Sequence, residues 1–140
     1  IANTGVKAAT IFRTNTKQGN VSLVVKNCTF YNLFSGEALM RDIIGGTNSF
    51  TAENILFAGS GSVKIFNKTS DAPGIINGSK IYSSSDLTVA NAGEVSTTAL
   101  SYSSSQLFPN ASSSTDVLDL TFGADIPNEV KIIGDPRWNK

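Results

Sequence analysis

Catalysis and metal binding draw on few side-chain types, and this chain is short of most of them. Histidine is absent from all 140 residues, which removes Ser-His-Asp and Cys-His nucleophilic catalysis, H-E-x-x-H metal sites and a switch near physiological pH. Cys28 stands alone, so no internal disulfide and no cysteine-bound zinc or iron–sulfur cluster can form. Abstraction of a proton alpha to a uronate carboxylate needs a cation to neutralise that carboxylate and a base beside it. Three arginines are available: Arg13 after the strand-like Thr10-Ile11-Phe12, Arg41 beside Asp42 and near Glu37, and Arg137 near the end. The simpler reading of Arg41 is a surface ion pair with Glu37 at i, i+4 spacing. Glycoside hydrolysis needs two carboxyls facing each other across ~5–9.5 Å. Asp116 with Asp119, or Glu37 with Asp42, are nominal pairs of the kind any chain with eleven acids offers. Asp71, Asp86 and Asp125 lie singly in turn-like sequence, no D-x-D-x-D-G calcium loop occurs, and no metal or cofactor is expected.

Binding asks less of the side chains. Aromatic rings stack on sugar faces, and amides and hydroxyls bond their edges, with no nucleophile required. Tyr31, Asn32, Arg41 and Tyr102 are the residues that suit a polysaccharide ligand. Eleven basic and eleven acidic residues cancel, which argues against nucleic acid, whose binders carry a basic surface. No stretch reaches the ~20 apolar residues of a membrane span, and no secretion signal opens the chain. Starting at Ile1, it reads as a piece of a longer protein whose targeting signal lies upstream. Ser, Thr and Asn supply 18, 13 and 13 residues, a neutral polar composition that suits an exported protein at the cell surface, in the periplasm or outside the cell. The five Asn-x-Ser/Thr sequons, at Asn20, Asn27, Asn67, Asn77 and Asn110, follow from that composition.

The elements that must position such residues repeat. Leu23-Val24-Val25-Lys26-Asn27-Cys28-Thr29-Phe30 matches Phe50-Thr51-Ala52-Glu53-Asn54-Ile55-Leu56-Phe57 at an offset of 27. At the same offset Gly36, Ala38 and Leu39 fall on Val63, Ile65 and Phe66. A weaker third copy, Ile75 to Tyr82, places Tyr82 under Phe57 at a spacing of 25, with Lys80 where Cys28 and Ile55 point inward unless the register shifts by one. Val21, Leu23 and Val25, then Val63 and Ile65, alternate with polar neighbours as short strands do. The best helical stretch is Gly36 to Ile44, ended by Gly45-Gly46. Strands at a fixed period favour a β-solenoid over a sandwich, because one turn of a parallel β-helix stacks its inward side chains on the same positions of the next. Asn27 and Asn54 sit where such a chain bends, tolerate a left-handed backbone and are expected to form an internal amide ladder. Phe30 and Phe57 are expected to stack inside.

Residues 1–140 read as one domain, with regular turns of the solenoid over 1–82, interruptions by Ser-rich loops over 83–125 and a C-terminal cap over 126–140. About four to five turns are expected. Leu87-Thr88-Val89 and Val117 to Phe122 look like further strands, while Ser83–Ser85, Ser103–Ser105 and Ser112–Ser114 look like loops. Ile126-Pro127 and Gly134-Asp135-Pro136-Arg137-Trp138 carry rigid turn chemistry, which would lay Trp138 over the last exposed strand edge.

Together the Asn27-Cys28-Thr29-Phe30-Tyr31-Asn32 run, its echo at Asn54-Ile55-Leu56-Phe57 and the terminal Gly-Asp-Pro-Arg-Trp resemble the C-terminal region of pectate-lyase-like β-helix proteins. More narrowly, they resemble a domain family of unknown function from exported glycan-utilisation proteins of gut bacteria. The resemblance implies an all-β, right-handed parallel β-helix, export and a setting of polysaccharide use, with no assigned catalytic residues. The expected function is polysaccharide binding or utilisation without catalysis in this chain. The alternatives are a polysaccharide lyase acting by β-elimination and a structural C-terminal cap of a larger surface protein or adhesin.

Overall fold

The computed structural model describes residues 11–13, 21–32, 38–41, 49–67, 75–90, 95–111 and 118–139. Among these residues eight strands run β1 (Phe12–Arg13), β2 (Ser22–Tyr31), β3 (Ala38–Arg41), β4 (Ser49–Ala58), β5 (Gly61–Asn67), β6 (Ile75–Ser83), β7 (Leu87–Ala90) and β8 (Thr98–Ala99). They form two four-stranded sheets of orders β1-β3-β5-β7 and β2-β4-β6-β8, and every pair is parallel.

The long strands owe their shape to one residue each. In β2, Leu23 and Val25 belong to the inner core, and so do Cys28 and Phe30, so the alternation changes phase at the residue between them. Asn27 there has φ 51°, Asn54 has φ 53° and Lys80 has φ 53°. An extra left-handed residue acts as a bulge does: it bends the strand and reverses which parity faces inward. Ile55 and Phe57 in β4, and Ile81 in β6, thereby remain in the core after the bend. Phe30 pairs with Phe57 at the expected offset, and their rings stack at 5.4 Å and 19°. The facing sheet contributes Leu39, Val63 and Ile65, each fully buried.

Several expectations require correction. The right-handed parallel β-helix of a pectate-lyase-like, all-β protein is overturned by a pair of small parallel sheets joined to helical segments. These are α1 (Ser104–Leu107), α2 (Asn128–Lys131) and a 3-10 turn at Pro136–Trp138. The physical reason lies in the last third: a capping box and two proline-led turns make short helices there, so further stacked strands do not follow. Leu118–Phe122 pairs with no strand among the described residues and buries Leu120 and Phe122. The segment expected to be helical contains β3, because Leu39 fills the core when Ala38 and Met40 pair with Lys64 and Phe66. That pairing has an offset of 26, so Leu39 lies level with Ile65 and not with Phe66. In the third copy Tyr82 pairs with Leu56 and not with Phe57, beside which Ser83 lies; this is the shift of register by one that Lys80 had signalled as the alternative.

A second core covers the outer side of the bent strand ends. Leu56 and Ala58 point away from the inner core and are buried beneath Leu107, Phe108, Leu120, Phe122, Ile126, Val130 and Ile133. Trp138 packs half-buried against this second core. The tail is bonded to β2: Asp135 N–H donates to Thr29 Oγ1 at 3.1 Å, near the beginning of the repeat. Gly134 makes that contact possible, with φ +80° and a position where a Cβ would lie 2.5 Å from Thr29 Oγ1.

Candidate functional site

The last third builds its concavity from local chain chemistry. Ser103 Oγ accepts the Gln106 N–H at 3.3 Å and Gln106 Oε1 accepts the Ser103 N–H at 2.8 Å, a reciprocal capping box that starts α1. Asp86, in the turn between β6 and β7, anchors the same point by accepting the Ser104 N–H at 2.9 Å and hydroxyl at 2.6 Å. Burial opposes ionisation of Asp86, but hydrogen bonds from the Ser104 and Ser84 hydroxyls outweigh it and hold the carboxyl below the usual aspartate range. The Ser85 N–H donates to the Tyr102 carbonyl at 2.8 Å, tying the residue before the cap to the sheet. Gly123 then returns the chain to α1, donating its N–H to Leu107 O at 3.0 Å. A Cβ at Gly123 would stand 2.7 Å from the Gln106 carbonyl oxygen, so only glycine allows this approach.

Between α1 and that returning turn lies a hollow of about 300 Å³, lined by Tyr102, Ser105, Gln106, Pro109 and residues Gly123 to Ile126. Tyr102, Pro109 and Ile126 give it apolar walls. Ile126 is buried, its N–H closing the turn onto Gly123 O at 3.1 Å. Ser105, Gln106 and Asp125 supply polar groups. Gln106 Oε1 is committed to the capping box, which leaves the Nε2 amide as its donor. Asp125 is the lining residue with a formal charge, is exposed, and has no hydrogen bond or ion pair among the described residues.

Of the four residues expected to meet a ligand, Tyr102 lines this hollow, while Tyr31 and Asn32 do not. Tyr31 is half-buried with its ring edge-on to Phe108, centroids 6.0 Å apart at 82°. Burial first, then the nearby Asp86 carboxylate, push its phenol above the ordinary value, so it stays neutral and acts as packing. Asn32 shapes a bend: its φ is 47°, its N–H donates to Ala58 O at 2.8 Å, and Gly59 lies against its backbone. Arg41 ends β3 in register with Arg13 on one side and Asn67 on the other; the side chains of both arginines lie outside the described residues. Glu37, Asp42, Asp71 and Asp116 also lie outside them. Ser105, Gln106, Pro109 and Asp125 were not anticipated, although Ser103-x-x-Gln106 is a readable helix-start signal.

Other chemistry-bearing groups lie away from this lining. Arg137 holds Asp135 through its guanidinium. Burial raises the Cys28 thiol, which makes it a poor nucleophile near neutrality. Lys26 and Glu53 pair at 2.5 Å across β2 and β4. Among the described residues no three His, Cys, Asp or Glu side chains group as metal ligands, and no helix is long and apolar enough to cross a membrane. Comparison with protein families, curated proteins and solved structures finds no match to this chain. The hollow must therefore be read from its own geometry.

Proposed function

We propose that this chain binds saccharide in the Tyr102 hollow, as a non-catalytic part of an exported or cell-surface system that handles polysaccharide. The observation that carries the reading is the placement of a half-buried tyrosine ring beside Pro109 and Ile126, with Ser105, Gln106 and Asp125 sharing the same concavity of about 300 Å³. A sugar ring has an apolar C–H face and a polar hydroxyl edge, which is the division this lining offers. The volume is at the low end of the ~300–1,000 Å³ common for small-ligand sites. Affinity is accordingly modest, since a small open site buries little of its ligand. Turnover by a pair of carboxyls has no support within the hollow, whose lining contains the single carboxylate Asp125 among the described residues. Export rests on the polar, uncharged composition.

Retention on a panel of neutral and uronate-containing glycans tests the proposal. The wild-type chain should be retarded by at least one glycan, and Tyr102→Ala should weaken that retention about tenfold or more while the fold is kept, since Tyr102 is only half-buried. Unsaturated products absorbing in the ultraviolet would replace binding by lyase activity. Absence of retention on every glycan, with no product, would leave the structural reading. That reading draws on the way the terminal Gly134-Asp135 segment is bonded to Asn54 and Thr29.

A further inference from the structure

We infer that the Tyr102 hollow selects a neutral sugar unit and rejects a uronate, with Asp125 as the residue that decides; this rests on the saccharide reading and names its ligand class. Three observations converge on it. Among the described residues the lining contains one formal charge, the Asp125 carboxylate, and no lysine or arginine. That carboxylate has no ion pair or hydrogen bond among the described residues, which leaves its acceptor oxygens to a ligand and its charge without a described cation beside it. A second carboxylate, Asp86, accepts the Ser104 N–H at 2.9 Å and the Ser104 hydroxyl at 2.6 Å, one residue from Ser105 of the lining.

A carboxylate with free oxygens accepts two hydrogen bonds side by side, and adjacent hydroxyls of a pyranose supply two such donors. The Gln106 Nε2 amide and the Ser105 hydroxyl complete the set, donating to a hydroxyl or ring oxygen. A uronate placed on the same Tyr102 wall brings its own carboxylate into the field of Asp125 with no compensating cation. Like charges at contact distances disfavour one another even near the protein surface. Discrimination of this kind works through repulsion of the wrong ligand as much as attraction of the right one.

The probes are matched pairs of short oligosaccharides ending in glucose or galactose against the corresponding glucuronate or galacturonate, titrated into the full chain by calorimetry at low and high salt. The expected result is neutral-sugar binding at least about tenfold tighter than uronate binding, with the gap narrowing as added salt screens Asp125. Asp125→Asn should reduce the gap to about threefold or less and remove its salt dependence, with an unchanged unfolding midpoint because the residue is exposed. Asp125→Lys should favour the uronate. Equal or tighter binding of uronate by the wild-type chain would overturn the inference while leaving saccharide binding in place. So would a gap that Asp125→Asn does not alter. Failure of every sugar to bind would overturn both this inference and the proposed function on which it rests.

Discussion

Asn54 and Gly134, eighty residues apart, close a reciprocal contact: the Gly134 N–H donates to Asn54 Oδ1 at 3.3 Å, and Asn54 Nδ2 reaches the Gly134 carbonyl at 3.4 Å. The same Nδ2 donates to Asn27 Oδ1 at 2.9 Å and lies 3.4 Å from Ile132 O. One amide thereby joins the bend of β2, the bend of β4 and the C-terminal segment. It does so at the surface, since Asn27 is exposed and Asn54 half-buried, and the expected internal ladder becomes a surface clasp. Asn54→Ala loses both the amide and the residue type that tolerates φ 53°, and should destabilise the chain by about 1–3 kcal/mol. Asn54→Gly loses the amide and gains the folding entropy cost of glycine but no left-handed strain, and should cost less. Urea unfolding of the two variants compares these backbone contributions; equal midpoints would show that the left-handed strain is no larger than the entropy cost of glycine.

Lys80 occupies the third bend, where its neighbours in the stack are asparagines. A side chain larger than glycine costs about 1–2 kcal/mol in the left-handed region, while glycine costs about 0.5–1 kcal/mol more entropy on folding than a residue with a side chain. The difference predicts that Lys80→Gly raises stability by roughly 0.5–1 kcal/mol. A lower urea midpoint for this variant would mean that the Lys80 side chain contributes more than the strain removes.

Gly78 faces the inner core, and a Cβ there would stand 2.5 Å from Val95 Cγ1 and 3.1 Å from Ile81 Cδ1. Gly78→Ala therefore overpacks a filled interior and should cost about 1–3 kcal/mol. Val95→Ala removes the obstructing methyls and leaves a cavity of its own. In the double variant the new methyl enters that space, so its loss of stability should be smaller than the sum of the two single losses. Simple additivity would place the clash elsewhere.

Asp135 is held below the ordinary aspartate value, near ~3.9, first by its hydrogen bond from the Arg137 guanidinium; burial opposes this, and the Arg137 N–H assists it. A carboxyl whose folded value is depressed stabilises the fold above the unfolded value and loses that contribution as pH falls through the folded one. Wild type should therefore exceed Asp135→Asn in stability at neutral pH. The gap should shrink as pH drops below about 4 and vanish once the folded carboxyl is protonated. Arg137 is largely exposed, so the gap is small and should fall further in salt. A gap constant from pH 7 to pH 3 would assign the effect to the turn at Pro136–Trp138 and not to charge.

The repeat between residues 23–30 and 50–57 was legible in the sequence, and so were the stacked Phe30 and Phe57, the bends at Asn27 and Asn54 and the strand at Leu87. All of these express a periodicity that neighbouring strands must share, because parallel pairing places equivalent residues side by side. Registers that rely on weaker matches were legible only in part. Lys80 at an inward position signalled the one-residue shift of the third copy, whereas the offset of 26 that sets Leu39 level with Ile65 had no such sign. The tertiary structure alone decided the course of the last third. Leu120, Phe122, Ile126 and Val130 read equally well as more strands or as a cover. Their burial against Leu56 and Ala58 depends on an outward apolar row that exists only after β4 has bent. The hollow has the same origin: Tyr102, Gln106 and Asp125 meet because Gly123 admits the Gln106 carbonyl, a contact between segments whose separate sequences contain no periodic signal to align them.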